Sequence, residues 1–104
     1  NYVHAWYKFY CFFNENHFSE SWNRDKVIKE INLKGYAAFH GGCSEIYMEE
    51  CFKSSNLKVK KRLSNSQNHQ ETSLMLLIHN TIHKNQMINY AKTIREILIK
   101  ASNN

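Results

Sequence analysis

At 104 residues the chain has room for one domain at most, and such a domain buries about two-thirds of the surface its unfolded form exposes. A hydrophobic content of 42% with 13% aromatic residues excludes a disordered tail, and no apolar run approaches the roughly 20 residues that span a bilayer. The net charge of +5 suits an anionic partner, but the basic residues are scattered apart from Lys58, Lys60, Lys61 and Arg62.

Residues Ala5 to Phe13 alternate as a strand does. Trp6, Lys8, Tyr10 and Phe12 fall on one face, and Tyr7, Phe9, Cys11 and Phe13 on the other. Only Lys8 interrupts the apolar character, so both faces are expected to be covered, one of them by a further domain or subunit. Asn14 to Ser21 is a polar loop. Trp22-Asn23-Arg24-Asp25 then reads as a helix start: Asn23 caps the free backbone N–H groups, Asp25 favours the positive end of the dipole, and Trp22 staples onto Val27. Val27, Ile28 and Ile31 form the apolar stripe of this helix, and Gly35 suits the left-handed residue that ends it.

Tyr36 to His40 reads as a short strand broken by Gly41-Gly42, a pair that lets the chain turn beneath a ligand or another backbone. Ser44 is expected to cap a helical stretch, Glu45 to Phe52, that turns Ile46 and Tyr47 inward. Lys53 to Gln70 is polar and reads as a loop with one or two helical turns. Ser73 to Ile78 is a buried strand. Lys84 to Ala101 forms the last helix, with Met87, Tyr90, Ala91, Ile94, Ile97, Leu98 and Ala101 on one face. This order predicts an α+β domain, a small sheet with helices packed mainly on one face.

Three cysteines, Cys11, Cys43 and Cys51, lack C-x-x-C spacing, which argues for reduced thiols rather than a disulfide framework. His40, Cys43 and Cys51 match no common zinc pattern, so no metal ligand is assigned. The aromatic N-terminus lacks the layout of a secretory signal, and the absent initiator methionine leads us to expect continuity with something upstream. A cytoplasmic location fits these features.

Six segments, in order and at the right spacing, resemble one enzyme family. They are His4-Ala5-Trp6-Tyr7-Lys8-Phe9-Tyr10; Trp22 to Ile28 followed by Leu33-Lys34-Gly35-Tyr36; Gly42-Cys43-Ser44-Glu45-Ile46-Tyr47; Arg62-Leu63; Glu71-Thr72-Ser73-Leu74-Met75; and His79-Asn80-Thr81. Together they resemble the small C-terminal domain of the DegT/DnrJ/EryC1/StrS sugar aminotransferases, which depend on pyridoxal phosphate. The most specific segment, at Gly42 to Tyr47, is similar to the G-S-C-S-E-I-Y loop of one subgroup. Departures are Ser64 and Asn80 where the family usually has proline, and His83-Lys84-Asn85 where it has a Thr-Glu-Glu-like helix start.

The resemblance implies the small domain of a fold-type I aminotransferase over residues 1–104, with the large cofactor-binding domain not included. It implies pyridoxal phosphate in the full enzyme, a nucleotide-sugar substrate, an amino-sugar product for surface polysaccharide, and a homodimer. No lysine of this chain matches the cofactor lysine, so no catalytic residue is assigned and the chain alone is expected to be inactive. His40, Ser44 and Glu45 are the candidate substrate contacts; for His40 a purely structural turn residue, and for Ser44 a helix cap, remain the competing readings. Two other functions stay open: a stand-alone basic module using Lys58 to Arg62 on nucleic acid or another anion, and a non-functional gene remnant.

Overall fold

The structure, a computed structural model, describes residue 2, residues 6–53 and residues 59–102. Ala5 of the predicted first strand, His4 of the first family-like segment and Lys58 of the basic cluster lie outside the described residues. The elements are β1 (Lys8–Phe12), α1 (Arg24–Leu33), β2 (Ala38–His40), α2 (Glu50–Lys53), α3 (Ser64–Thr72), β3 (Ser73–Leu77) and α4 (Lys84–Ala101). The three strands form one antiparallel sheet in the order β1-β3-β2. The last strand in the sequence is therefore the centre of the sheet.

Helix α1 begins as its sequence dictates. The Asn23 side chain accepts from the Lys26 N–H at 2.9 Å, and Gly35 ends the helix with φ +83°. Its buried residues Val27, Ile28 and Ile31 meet Tyr90, Ile97 and Ala101 of α4 and the strand residues Ala38, Leu74 and Leu76 in one apolar core. Both helices thus cover the same side of the sheet, and the α+β architecture with helices on one face holds. Tyr36 stacks on Tyr90 at 4.7 Å between ring centroids, and the Tyr90 hydroxyl donates to the Ala37 carbonyl at 2.6 Å. Asn32 clamps the start of β2 with two hydrogen bonds to the Ala38 backbone, one in each direction, at 2.8 and 3.1 Å.

The opposite side of the sheet is open among the described residues. Tyr10, Met75 and Phe39 lie opposite one another across the three strands. Tyr10 is 46% exposed, Phe39 48% and the neighbouring Phe12, which meets the His69 ring of α3 edge-on at 4.9 Å, 60%, so this apolar face is largely uncovered among the described residues. Of the two faces expected to be covered, the described residues cover one.

Three local expectations are corrected. Glu45 to Phe52 is not one helix: a 3₁₀ turn at Ile46–Met48 and the single turn of α2 replace it, and Ile46 points outward. Ser44 caps no helix: its hydroxyl turns back to the Gly42 carbonyl at 3.4 Å, and its N–H donates to the Gln70 side chain at 2.9 Å, which holds the segment against α3. The polar stretch before β3 contains the full nine-residue α3, which runs into β3 without a loop. Its sequence, Ser-Asn-Ser-Gln-Asn-His-Gln-Glu-Thr, buries no residue and so carries no apolar periodicity.

Candidate functional site

The turn that follows β2 is set by contact with β3. The Gly41 N–H donates to the Ser73 carbonyl at 3.1 Å, and a Cβ at residue 41 would collide with the Ser73 side chain. Neither Gly41 nor Gly42 has a positive φ. Glycine is required at 41 for close approach, not for an unusual backbone angle.

The three predicted contacts part company here. His40 closes β2 with an exposed imidazole whose Nε2 lies 3.2 Å from Asp25 Oδ1. Asp25 is in turn gripped by Arg24, whose Nε and Nη2 each approach Oδ1 at 2.8 Å. The Arg24 guanidinium is largely buried and donates to the Gln70 carbonyl and, at 3.4 Å, to that of Ser73 across the α3–β3 junction. Slight burial raises the Asp25 carboxyl; Arg24, aided by His40, outweighs it and holds the group below the usual aspartate value. Asn23, Arg24 and Asp25 line a groove of about 330 Å³ with Glu15, Asn68 and Glu71.

Glu45 points the other way, into the protein, and is only 4% exposed. Arg62 grips both of its oxygens, through Nε at 2.9 Å and through Nη2, and the Tyr47 hydroxyl donates to Oε1 at 2.7 Å. The Leu63 N–H completes the network by donating to the Tyr47 oxygen at 3.0 Å. The Arg62 hydrogen bonds hold the Glu45 carboxyl below its ordinary value against desolvation, with Tyr47 helping. Glu45 therefore anchors the turn, while the His40 ring and the Cys43 thiol are exposed on it. Ser44 stands between them with its hydroxyl 3.4 Å from the Gly42 carbonyl.

Sequence patterning places Arg62 in a basic patch and Arg24-Asp25 at a helix start. It shows neither the Arg62–Glu45 anchor nor the bonds of Arg24 to Gln70 and Ser73, because these join segments whose proximity no local pattern reveals. Among the described residues no group of three or more His, Cys, Asp or Glu is placed to hold a metal ion. Pyridoxal phosphate does not fit either. No described lysine is buried, and Glu45, the one buried carboxylate among them, is already bonded on both oxygens. No helix among the described residues is long and apolar enough to cross a membrane.

No protein-family model matches the chain, and no curated protein matches it. The structure of an aminotransferase from Psychrobacter cryohalolentis, solved by X-ray crystallography, superposes on 97% of the chain with a TM-score of 0.89 and 33% sequence identity. The matched region is 26% of that protein's chain. This sequence has the fold of a small α+β domain found in an aminotransferase, and it spans about a quarter of the length of that relative.

Proposed function

We propose that residues 1–104 are the small C-terminal domain of a DegT/DnrJ/EryC1/StrS aminotransferase. Such an enzyme depends on pyridoxal phosphate and converts a keto-sugar nucleotide to an amino sugar for surface polysaccharide in the cytoplasm. The observation that carries this reading is the superposition of nearly the whole chain on a quarter of an aminotransferase at 33% identity. The open face of Tyr10, Phe12, Phe39 and Met75 supports it, since an apolar sheet face calls for a covering layer that a large cofactor-binding domain would provide.

In this reading the large domain supplies the cofactor lysine, and the full enzyme is a homodimer. The small domain supplies one wall of the nucleotide-sugar pocket through the turn His40 to Glu45, with His40 and Ser44 toward the ligand and Glu45 holding the turn in place. The cofactor, when bound in the full enzyme, supplies the electron sink for amino transfer. By itself the chain is expected to bind no cofactor and to catalyse nothing. The alternative of a basic nucleic-acid module is weakened by Arg62, whose guanidinium is engaged by Glu45.

The reading is tested with a chimera in which this chain replaces the matching quarter of the Psychrobacter enzyme. It should fold, take up pyridoxal phosphate and transfer the amino group of glutamate to a keto-sugar nucleotide. His40→Ala and Ser44→Ala should then raise KM for the nucleotide sugar. A folded, cofactor-loaded chimera in which both substitutions leave KM unchanged sinks the pocket wall. A lysine-bound cofactor absorbance in the isolated chain would refute its inactivity.

A further inference from the structure

The chain Arg24–Asp25–His40 is more than a surface ion pair. Arg24 is fixed at its inner end by two backbone carbonyls at the α3–β3 junction, and its Nε and Nη2 hold one oxygen of Asp25. That same oxygen faces His40 Nε2 at 3.2 Å. A carboxylate so held can only accept, so the imidazole nitrogen facing it carries the proton, and the neutral ring keeps a lone pair on Nδ1. No hydrogen bond reaches His40 Nδ1 from any of the described residues. The exposed side of the pair also carries the Asp25 charge, and the groove beside it holds Glu15 and Glu71. An incoming phosphate would be repelled there. A hydroxyl would not.

We propose that Asp25 is a positioning residue that fixes His40 as the Nε2–H tautomer, so that Nδ1 accepts a hydrogen bond from a sugar hydroxyl rather than contacting the phosphates. This rests on the pocket-wall reading of His40 given above. It adds which atom of the ring works and which part of a nucleotide sugar it meets.

The test uses the ¹⁵N-labelled chain at a pH high enough to keep imidazoles neutral. Wild-type His40 should show Nδ1 at the limit for an unprotonated nitrogen and Nε2 at the limit for a protonated one. Asp25→Ala should move both toward the exchange-averaged values of a free ring. Asp25→Asn, which keeps the shape and still offers an oxygen, should fall between, and intact α1 amide signals show that the fold survives. Averaged nitrogens in the wild type, or pinned ones that Asp25→Ala leaves unchanged, overturn the assignment.

UDP-N-acetylglucosamine is then added to the ¹⁵N-labelled form of the chimera described above, in which the pocket is complete, with UDP in a parallel sample. Movement of the His40 Nδ1 signal with the sugar nucleotide and not with UDP supports the hydroxyl contact; an equal response to UDP overturns it. If the nitrogens are pinned and released as described while neither probe moves His40 in the folded chimera, the pocket-wall reading and the hydroxyl contact fail, and the role of Asp25 in fixing the tautomer stands.

Discussion

Ser73 occupies the space that a side chain at residue 41 would need, and its buried hydroxyl finds no hydrogen-bond partner among the described residues. The close approach of these two residues at the end of β2 and the start of β3 sets where the His40–Glu45 turn leaves the sheet.

Gly41→Ala should therefore destabilise the domain by about 1–3 kcal/mol, as overpacking does. Ser73→Ala will not rescue it, because the Ser73 Cβ is itself in the way, whereas Ser73→Gly should. On its own, Ser73→Ala should raise stability by removing an unpaired buried hydroxyl. Urea denaturation of the four variants checks this; a loss of stability in Ser73→Ala means that the hydroxyl is bonded after all.

The Glu45–Arg62 pair makes stability depend on acid. Because Arg62 holds the folded Glu45 carboxyl below its unfolded value, its contribution is complete above the ordinary glutamate pKa, about 4.3, and is lost as pH falls through the lower folded value. Denaturation midpoints between pH 7 and pH 3 should fall more steeply in the wild type than in Glu45→Gln. Arg62→Ala should be the most damaging single change of the pair, since it leaves a buried carboxylate with only Tyr47.

At the alkaline end Tyr90 acts. Burial, with a smaller push from Cys11, raises its hydroxyl to about 12, so its contribution is whole below the unfolded tyrosine value of about 10 and is lost as pH climbs toward the folded one. Tyr90→Phe should flatten part of the stability loss between those two values, with Tyr47, raised chiefly by burial, accounting for some of the rest. At neutral pH the same substitution should cost about 1 kcal/mol, because the Ala37 carbonyl keeps its bond from the Leu77 N–H at 3.2 Å. A parallel alkaline profile in the variant would dissociate Tyr90 from that transition.

The open sheet face predicts concentration-dependent behaviour. Phe12→Lys and Phe39→Glu should shift the isolated chain toward monomer in sedimentation velocity, Phe39→Glu with its thermal midpoint nearly unchanged and Phe12→Lys with a small drop from the lost edge contact with His69, because both rings are largely exposed. A large drop in midpoint would mean that these rings stabilise the chain itself.

Much of this molecule could be read from its residues. Val27, Ile28 and Ile31 at helical spacing, the Asn23 cap and Gly35 specified α1 nearly to its ends, and the apolar run from Ser73 marked β3. Helix α3 escaped because helices announce themselves through a buried stripe and this one buries nothing. Its position before the central strand and the bonds of Gln70 to Ser44 and Arg24 keep it in place instead. The site was legible as a place, the turn after His40, but not as an arrangement. Asp25 is 15 residues from His40 and Arg62 is 17 from Glu45, separations that only the folded topology closes. The glycine pair gave a correct turn for an incomplete reason. Gly41 answers to Ser73, while a Cβ at Gly42 would meet open space.

Asn32 gives the domain an internal order of events. Strand β2 is three residues long, and the side-chain clamp at its first residue belongs to helix α1. Any opening that frays the last turn of α1 releases β2 from its start, and with it the bearing on which the His40 imidazole rests. Helix, strand and turn should thus exchange their amide protons as one unit rather than by the depth of each residue.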